Sequence, residues 1–86
     1  MMEQAQLAMV FATMHQTLEA EEVLEGQGIS PLWISVPGDL GLGCGMALGV
    51  PKDSIALSVL KQETIVPQSV WLVTGTSWHP QSKETR

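Results

Sequence analysis

The fold is decided at residues 7–16, which read LAMVFATMHQ. The first six of these residues are apolar without interruption, which predicts a buried strand in the middle of a sheet. Thr13 follows, with Gln16 three residues later, and this is the pattern of a capping box. We therefore expect a helix to begin near Met14, directly after the strand.

The rest of the chain adds four more elements. The glycines after residue 25 end the first helix, and helical spacing of apolar residues predicts a second helix opened by Pro51 or Asp53. Short apolar segments predict three further strands, at residues 32–36, 46–50 and 70–73. The chain thus divides into one domain at residues 1–74 and a polar, flexible tail at residues 75–86.

The predicted element order is β-α-β-β-α-β. Two right-handed crossovers with short connections lead most simply to a ferredoxin-like α+β domain. In that arrangement a four-stranded antiparallel sheet carries both helices on one face.

Composition excludes several functional classes. With 44% hydrophobic and 15% charged residues among 86, the chain is too apolar to be disordered. A formal net charge of -5 argues against binding nucleic acid or an anionic membrane surface. One cysteine excludes an internal disulfide framework, and two histidines give no zinc-finger spacing. We expect no metal and no cofactor.

The sequence also predicts a location. Its first residues include Glu3 and lack the basic region of a signal peptide, and the apolar segment at residues 7–14 is too short to cross a bilayer. We therefore expect no membrane insertion and a place in the reducing cytoplasm, where a single thiol stays a thiol.

The turn between the second and third strands carries that thiol, Cys44. It opens with Pro37 and is rich in glycine, including Gly41, Gly43 and Gly45. In the predicted topology this turn shares one edge of the domain with the start of the first helix. Glycines there allow positive φ and let backbone N–H groups converge on an anion. A thiol beside a helix start ionises more readily, and the thiolate is the reactive form. Alternatively, Cys44 is a small apolar residue at the start of a strand.

Two segments of this chain form a recognisable pattern. One runs from His15 through AEEVL at residues 20–24 to Gly28, and the other joins Val36-Pro37 to CGMAL at residues 44–48. In these segments the chain resembles a known family, the small selenium/sulfur carrier-like proteins of bacteria. The resemblance covers residues 7–73. It implies a ferredoxin-like fold and a carrier thiol at Cys44 that holds sulfur or selenium as a persulfide or selenosulfide.

The chain departs from the family at two positions. The family often has arginine directly after the proline, where this chain has Gly38, and favours a basic residue where this chain has Val50. A cation near the thiol would stabilise the thiolate. The start of the first helix and His15 are then the remaining sources of positive potential.

Three further polar residues have two interpretations each. Glu21 lies on the apolar side of the first helix, where its carboxylate either accepts N–H groups of the cysteine turn or reaches solvent at the edge. Thr13, the predicted cap, also lies at this edge and could help to orient the turn. His15 is either a proton-transfer partner of Cys44 or a solvated surface histidine.

Trp33 and Trp71 predict an interface. Alternation along their strands separates each tryptophan from its apolar neighbours, so we expect both on the face of the sheet that the helices leave open. Exposed apolar patches of this kind usually mark contacts with another protein or a second copy. Alternatively, the segment after Gly75, with Trp78, folds back over them.

Two functions follow from these observations. The leading one is a thiol protein that carries sulfur or selenium on Cys44 between donor and acceptor proteins, and it need not be an enzyme because no general acid–base pair accompanies the thiol. The alternative is a non-catalytic interaction or oligomerisation module that uses the open sheet face, with Cys44 structural.

Overall fold

The chain forms one antiparallel sheet with two helices. The computed structural model describes residues 6–81, so the predictions for residues 1–5 and 82–86 lie outside it. The strands are β1 (Gln6–Val10), β2 (Leu32–Ser35), β3 (Met46–Pro51), β4 (Ser69–Thr74) and β5 (Ser77–Pro80). The helices are α1 (Met14–Gly26) and α2 (Ala56–Gln62), with a short 3₁₀ helix at Gly38–Leu40.

The sheet has the strand order β2-β3-β1-β4-β5, and every neighbouring pair is antiparallel. The α+β class and the central position of the first strand are confirmed. The prediction of four strands is wrong, because Ser77–Pro80, assigned to the tail, pairs with β4. This strand contains one large apolar residue, Trp78, so it lacks the alternation by which strands are recognised.

The helices cover one face of the sheet. Their apolar residues Ala20, Leu24, Ala56 and Leu60 pack with Met9, Phe11, Leu48 and Val50 in a single buried cluster. We call this the helix-side core. Neither helix within residues 6–81 is long and apolar enough to cross a membrane.

The opposite face is covered too. Ala8, Val10, Val36 and Ala47 are buried there, and Leu40, Leu42, Trp71, Val73 and Trp78 pack against them. We call this the turn-side core, because Leu40 and Leu42 belong to the turn between β2 and β3. The expectation of an uncovered sheet face is therefore wrong.

The two tryptophans lie on opposite faces. Trp33 is opposite Leu48, in the helix-side core, whereas Trp71 is opposite Ala8, in the turn-side core. Alternation within each strand was predicted correctly, but it does not say how two strands are aligned with each other. The alternative in which Trp78 folds back is confirmed for Trp71, whose ring centroid lies 6.3 Å from that of Trp78.

Two boundaries differ from the predictions. β1 ends at Val10, although the apolar run continues to Ala12. α2 begins at Ala56 and not at Pro51 or Asp53, because β3 extends through Pro51 and a turn follows. In that turn the N–H of Ser54 donates to the carbonyl of Pro51 over 2.9 Å, and the hydroxyl of Ser54 accepts the N–H of Ala56 over 3.0 Å.

Candidate functional site

The start of α1 is fixed by the predicted cap. The hydroxyl of Thr13 accepts the N–H of Gln16 over 3.1 Å, and the helix begins at Met14. The carbonyl of Thr13 accepts the N–H of Thr17 over 3.1 Å and also the hydroxyl of Thr17 over 2.9 Å. Three hydrogen bonds to Thr13 thus hold the first turn of α1.

Cys44 lies against this first turn. Its Sγ is 3.6 Å from the Oγ1 of Thr17, and 3.9 Å from the carbonyl oxygen of Met46. Thr17 is fully buried, whereas Cys44 keeps part of its surface exposed. The predicted proximity of the cysteine turn and the helix start is therefore present in the structure, with Thr17 as the contact.

The Thr17 hydroxyl has two ways of bonding. While it donates to the carbonyl of Thr13, its lone pairs can accept a hydrogen bond from the Cys44 thiol. If it rotates, it can donate to a Cys44 thiolate, and the carbonyl of Thr13 still accepts the N–H of Thr17. Either protonation state of the sulfur thus has a partner.

The glycines of the turn have the backbone geometry that the sequence predicts. Gly41, Gly43 and Gly45 have φ values of 59°, 52° and 92°. No other residue between them has positive φ, so the sign of φ alternates from 41 to 45. This alternation is typical of backbone that presents successive N–H groups to an anion.

Two N–H groups of the turn are not used as donors within the described part of the chain and could bind such an anion. Among the hydrogen bonds within residues 6–81, none uses the N–H of Gly43 or of Cys44 as donor. Gly43 also has no room for a side chain, since a Cβ there would meet the carbonyl oxygen of Phe11 and lie 2.7 Å from Cγ1 of Val10. The turn can therefore approach β1 this closely only with glycine at position 43.

Hydrogen bonds and two leucine side chains hold the turn against the sheet. The N–H of Val36 donates to the carbonyl of Gly45 over 2.9 Å, which closes its base. The N–H of Leu40 donates to the carbonyl of Pro37 over 3.0 Å, within the 3₁₀ turn that Pro37 opens. Leu40 and Leu42 anchor it to the turn-side core. The thiol thus has a defined position against α1.

The other predicted site residues lie elsewhere or have other partners. His15 is exposed, and no hydrogen bond within residues 6–81 joins it to Cys44. The carboxylate of Glu21 accepts the indole N–H of Trp33 over 2.8 Å, so its partner is β2 and not the cysteine turn. Gly38 is exposed at the start of the turn, whereas Val50 is buried in the helix-side core.

Thr17 was not among the site residues predicted from the sequence. The signal was present, because Thr17 falls on the same side of the helix as Ala20 and Leu24, where a polar residue needs a partner. One partner, the carbonyl of Thr13, is local, but the other, Cys44, is 27 residues away along the chain, and the sequence does not identify it.

The fold and the site together define a small α+β protein with a single thiol on a glycine-rich turn, next to a helix start. The family model described as "Putative Se/S carrier protein-like" matches residues 6–72. The chain belongs to this family, as the resemblance in its sequence indicated. Comparison with curated proteins and with solved structures found no significant match.

Proposed function

We propose that this protein carries sulfur or selenium on Cys44, as a persulfide or a selenosulfide. The observation that carries the proposal is the contact between the Sγ of Cys44, a partly exposed residue, and the hydroxyl of the buried Thr17, 3.6 Å apart at the first turn of α1. A thiol with a structural role alone has no need of a buried hydrogen-bonding partner and an exposed side. A carrier thiol needs both, because its sulfur must ionise and must also be reached.

Loading would be a transfer between two sulfur compounds. The thiolate of Cys44 attacks the outer sulfur of a hydropersulfide R–S–SH, the S–S bond of the donor breaks, and R–S⁻ leaves with the electron pair. The products are Cys44–S–SH and a thiol, so no oxidant or reductant is consumed. The same step with R–S–SeH places selenium on Cys44.

The turn would assist by binding the charge. A persulfide carries negative charge near neutral pH, and the N–H groups of Gly43 and Cys44 and the positive end of α1 favour an anion at this position. The protein then acts as a carrier between a donor and an acceptor protein and needs no acid–base pair of its own. A free thiol of this kind suits the reducing cytoplasm, where we place it.

We also infer that the first four strands keep the ferredoxin-like order, to which β5 is an addition. The β-α-β-β-α-β sequence of elements and the position of β1 between β3 and β4 support this inference.

The test is to incubate the protein with glutathione hydropersulfide and to measure its intact mass. We expect a gain of one sulfur atom, located on Cys44 by peptide mapping, and its transfer to an added thiol. The Cys44→Ser protein should gain none. Absence of the adduct in the natural sequence would contradict the carrier function and favour the alternative, an interaction module in which Cys44 is structural.

A further inference from the structure

Two large apolar side chains of α1 face solvent. Met14 is 42% exposed and Leu18 is 50% exposed, and they are one helical turn apart. Side chains at this spacing lie next to each other on the helix surface, so they form one apolar patch. Neither residue belongs to the core clusters on the two faces of the sheet.

This patch is beside the thiol. Thr17 lies three residues after Met14 and directly before Leu18, and its hydroxyl is 3.6 Å from the Sγ of Cys44. The apolar pair and the sulfur therefore flank the same turn of α1. A protein that approaches this sulfur from the side of Met14 would therefore meet the pair.

The charged residues that continue the patch along α1 are both acidic. Glu22 lies four residues after Leu18, and Glu25 lies seven residues after it, so both continue the same side of the helix. Both are exposed, and α1 contains no lysine or arginine. A second copy of this chain would bring the same carboxylates to the surface, so like charges oppose a symmetric contact here.

We propose that Met14, Leu18, Glu22 and Glu25 form a docking surface for a basic protein that carries apolar residues beside its own reactive sulfur. The proposal rests on the proposed function, because that protein is the one that exchanges sulfur with Cys44. The apolar pair provides the contact at the centre, and the two carboxylates select a cationic rim.

The test uses two peptides of equal length as probes. Each has a cysteine between leucines, activated as a 2-thiopyridyl disulfide, and one has arginines where the other has glutamates. The Cys44 thiolate attacks the peptide sulfur, a Cys44–peptide disulfide forms, and 2-thiopyridone leaves with the electron pair and is followed by its absorbance. The small neutral disulfide 2,2′-dithiodipyridine measures the reactivity of the thiol itself, and every peptide rate is divided by its rate.

We expect the arginine peptide to react about tenfold faster than the glutamate peptide at low ionic strength, with the difference shrinking as salt is added. Replacing Glu22 and Glu25 by Gln should remove most of this preference. Replacing Met14 and Leu18 by Gln should slow both peptides several-fold and leave the charge preference in place.

Control substitutions are available at the far end of the sheet. Ile55 is 65% exposed and Asp53 is exposed, and both follow β3 at the end away from the cysteine turn. Ile55→Gln and Asp53→Asn should change neither rate. Equal normalised rates for the two peptides, or equal effects of the control and the α1 substitutions, would overturn the docking surface. A protein that prefers the arginine peptide but takes no sulfur from hydropersulfide would support the surface and contradict the carrier function.

Discussion

Thr17 is a buried polar residue whose hydroxyl has two hydrogen-bonding neighbours. Its side chain is fully buried on the core side of α1, and its hydroxyl lies between a backbone carbonyl and the sulfur of Cys44. A hydrophobic residue of similar shape would pack there equally well. The hydroxyl is therefore explained by hydrogen bonding and not by packing.

Replacing Thr17 by Val should lower the reactivity of Cys44. Loss of one hydrogen bond worth about 1 kcal/mol to the thiolate should lower the alkylation rate at neutral pH about twofold, because weaker ionisation is partly offset by the greater nucleophilicity of a more basic thiolate. Thr17→Ser keeps the hydroxyl and should react like the natural protein. The measurement is the rate of alkylation by iodoacetamide as a function of pH, and equal profiles for the Val and Ser variants would contradict the role of the hydroxyl.

A comparison of Gly43 with Gly41 separates the energetic cost of positive φ from the cost of a steric clash. Both have positive φ, but only at Gly43 would a Cβ meet other atoms. Gly41→Ala should cost the conformational part alone, about 1–2 kcal/mol. Gly43→Ala should cost a further 1–3 kcal/mol or so for overpacking against β1. Urea unfolding of the two variants measures the difference, and equal free energies of unfolding would show that the contact with Phe11 relaxes.

Local sequence patterns were sufficient to predict the conformation of some of these residues. The cap at Thr13 was predictable because both of its partners lie within four residues. Positive φ in the turn was predictable because glycine adopts it at no steric cost. The contact between Thr17 and Cys44 was not predictable, because it depends on how the whole turn packs against the sheet.

A hydrogen bond joins α1 to the edge strand β2. It runs from the indole N–H of Trp33 to the carboxylate of Glu21 over 2.8 Å, and both side chains are half-buried. Glu21→Ala would leave the indole N–H without this acceptor and should lower the free energy of unfolding by about 1–2 kcal/mol. Glu21→Gln retains a carbonyl oxygen and should lose less. Urea unfolding followed by circular dichroism checks this, and equal losses in the two variants would contradict it.

The helices and strands differ in how well they could be predicted from the sequence. Short apolar segments identified four strands, a capping box identified α1, and helical spacing of apolar residues identified α2. The shared face of Trp33 and Trp71 was predicted wrongly, because alignment between strands is set by pairing through β1 and β3 and not by either strand alone. β5 was missed because an edge strand with one apolar residue has no visible period.

The molecule uses both faces of its sheet. The helices cover one face, and the cysteine turn with Trp78 covers the other, so a short chain builds two cores around β1. The same turn therefore stabilises the fold and positions the thiol. Self-association through the sheet face stays a prediction, but Trp33 and Trp71, on which it was based, lie on opposite faces.

The distribution of charge gives a prediction for the whole protein. Nine acidic residues oppose four basic ones, and Glu19, Glu22 and Glu25 follow one another at spacings of three along exposed positions of α1. Like charges at this spacing destabilise a helix by about 0.2–0.5 kcal/mol for each pair. Raising the ionic strength from about 0.01 M to about 0.1 M shortens the Debye length from about 30 Å to about 10 Å and weakens this repulsion.

The free energy of unfolding should therefore increase with salt over this range. Glu22→Gln removes the pairs that Glu22 makes with Glu19 and with Glu25, so this variant should be more stable than the natural protein at low salt and should respond less to added salt. Asp53→Asn, a change of the same charge in the turn after β3, leaves the α1 pairs intact and is the control. Urea unfolding at several NaCl concentrations provides the measurement. If Glu22→Gln and Asp53→Asn respond equally to salt, the repulsion is spread over the net charge of the molecule and is not concentrated on α1.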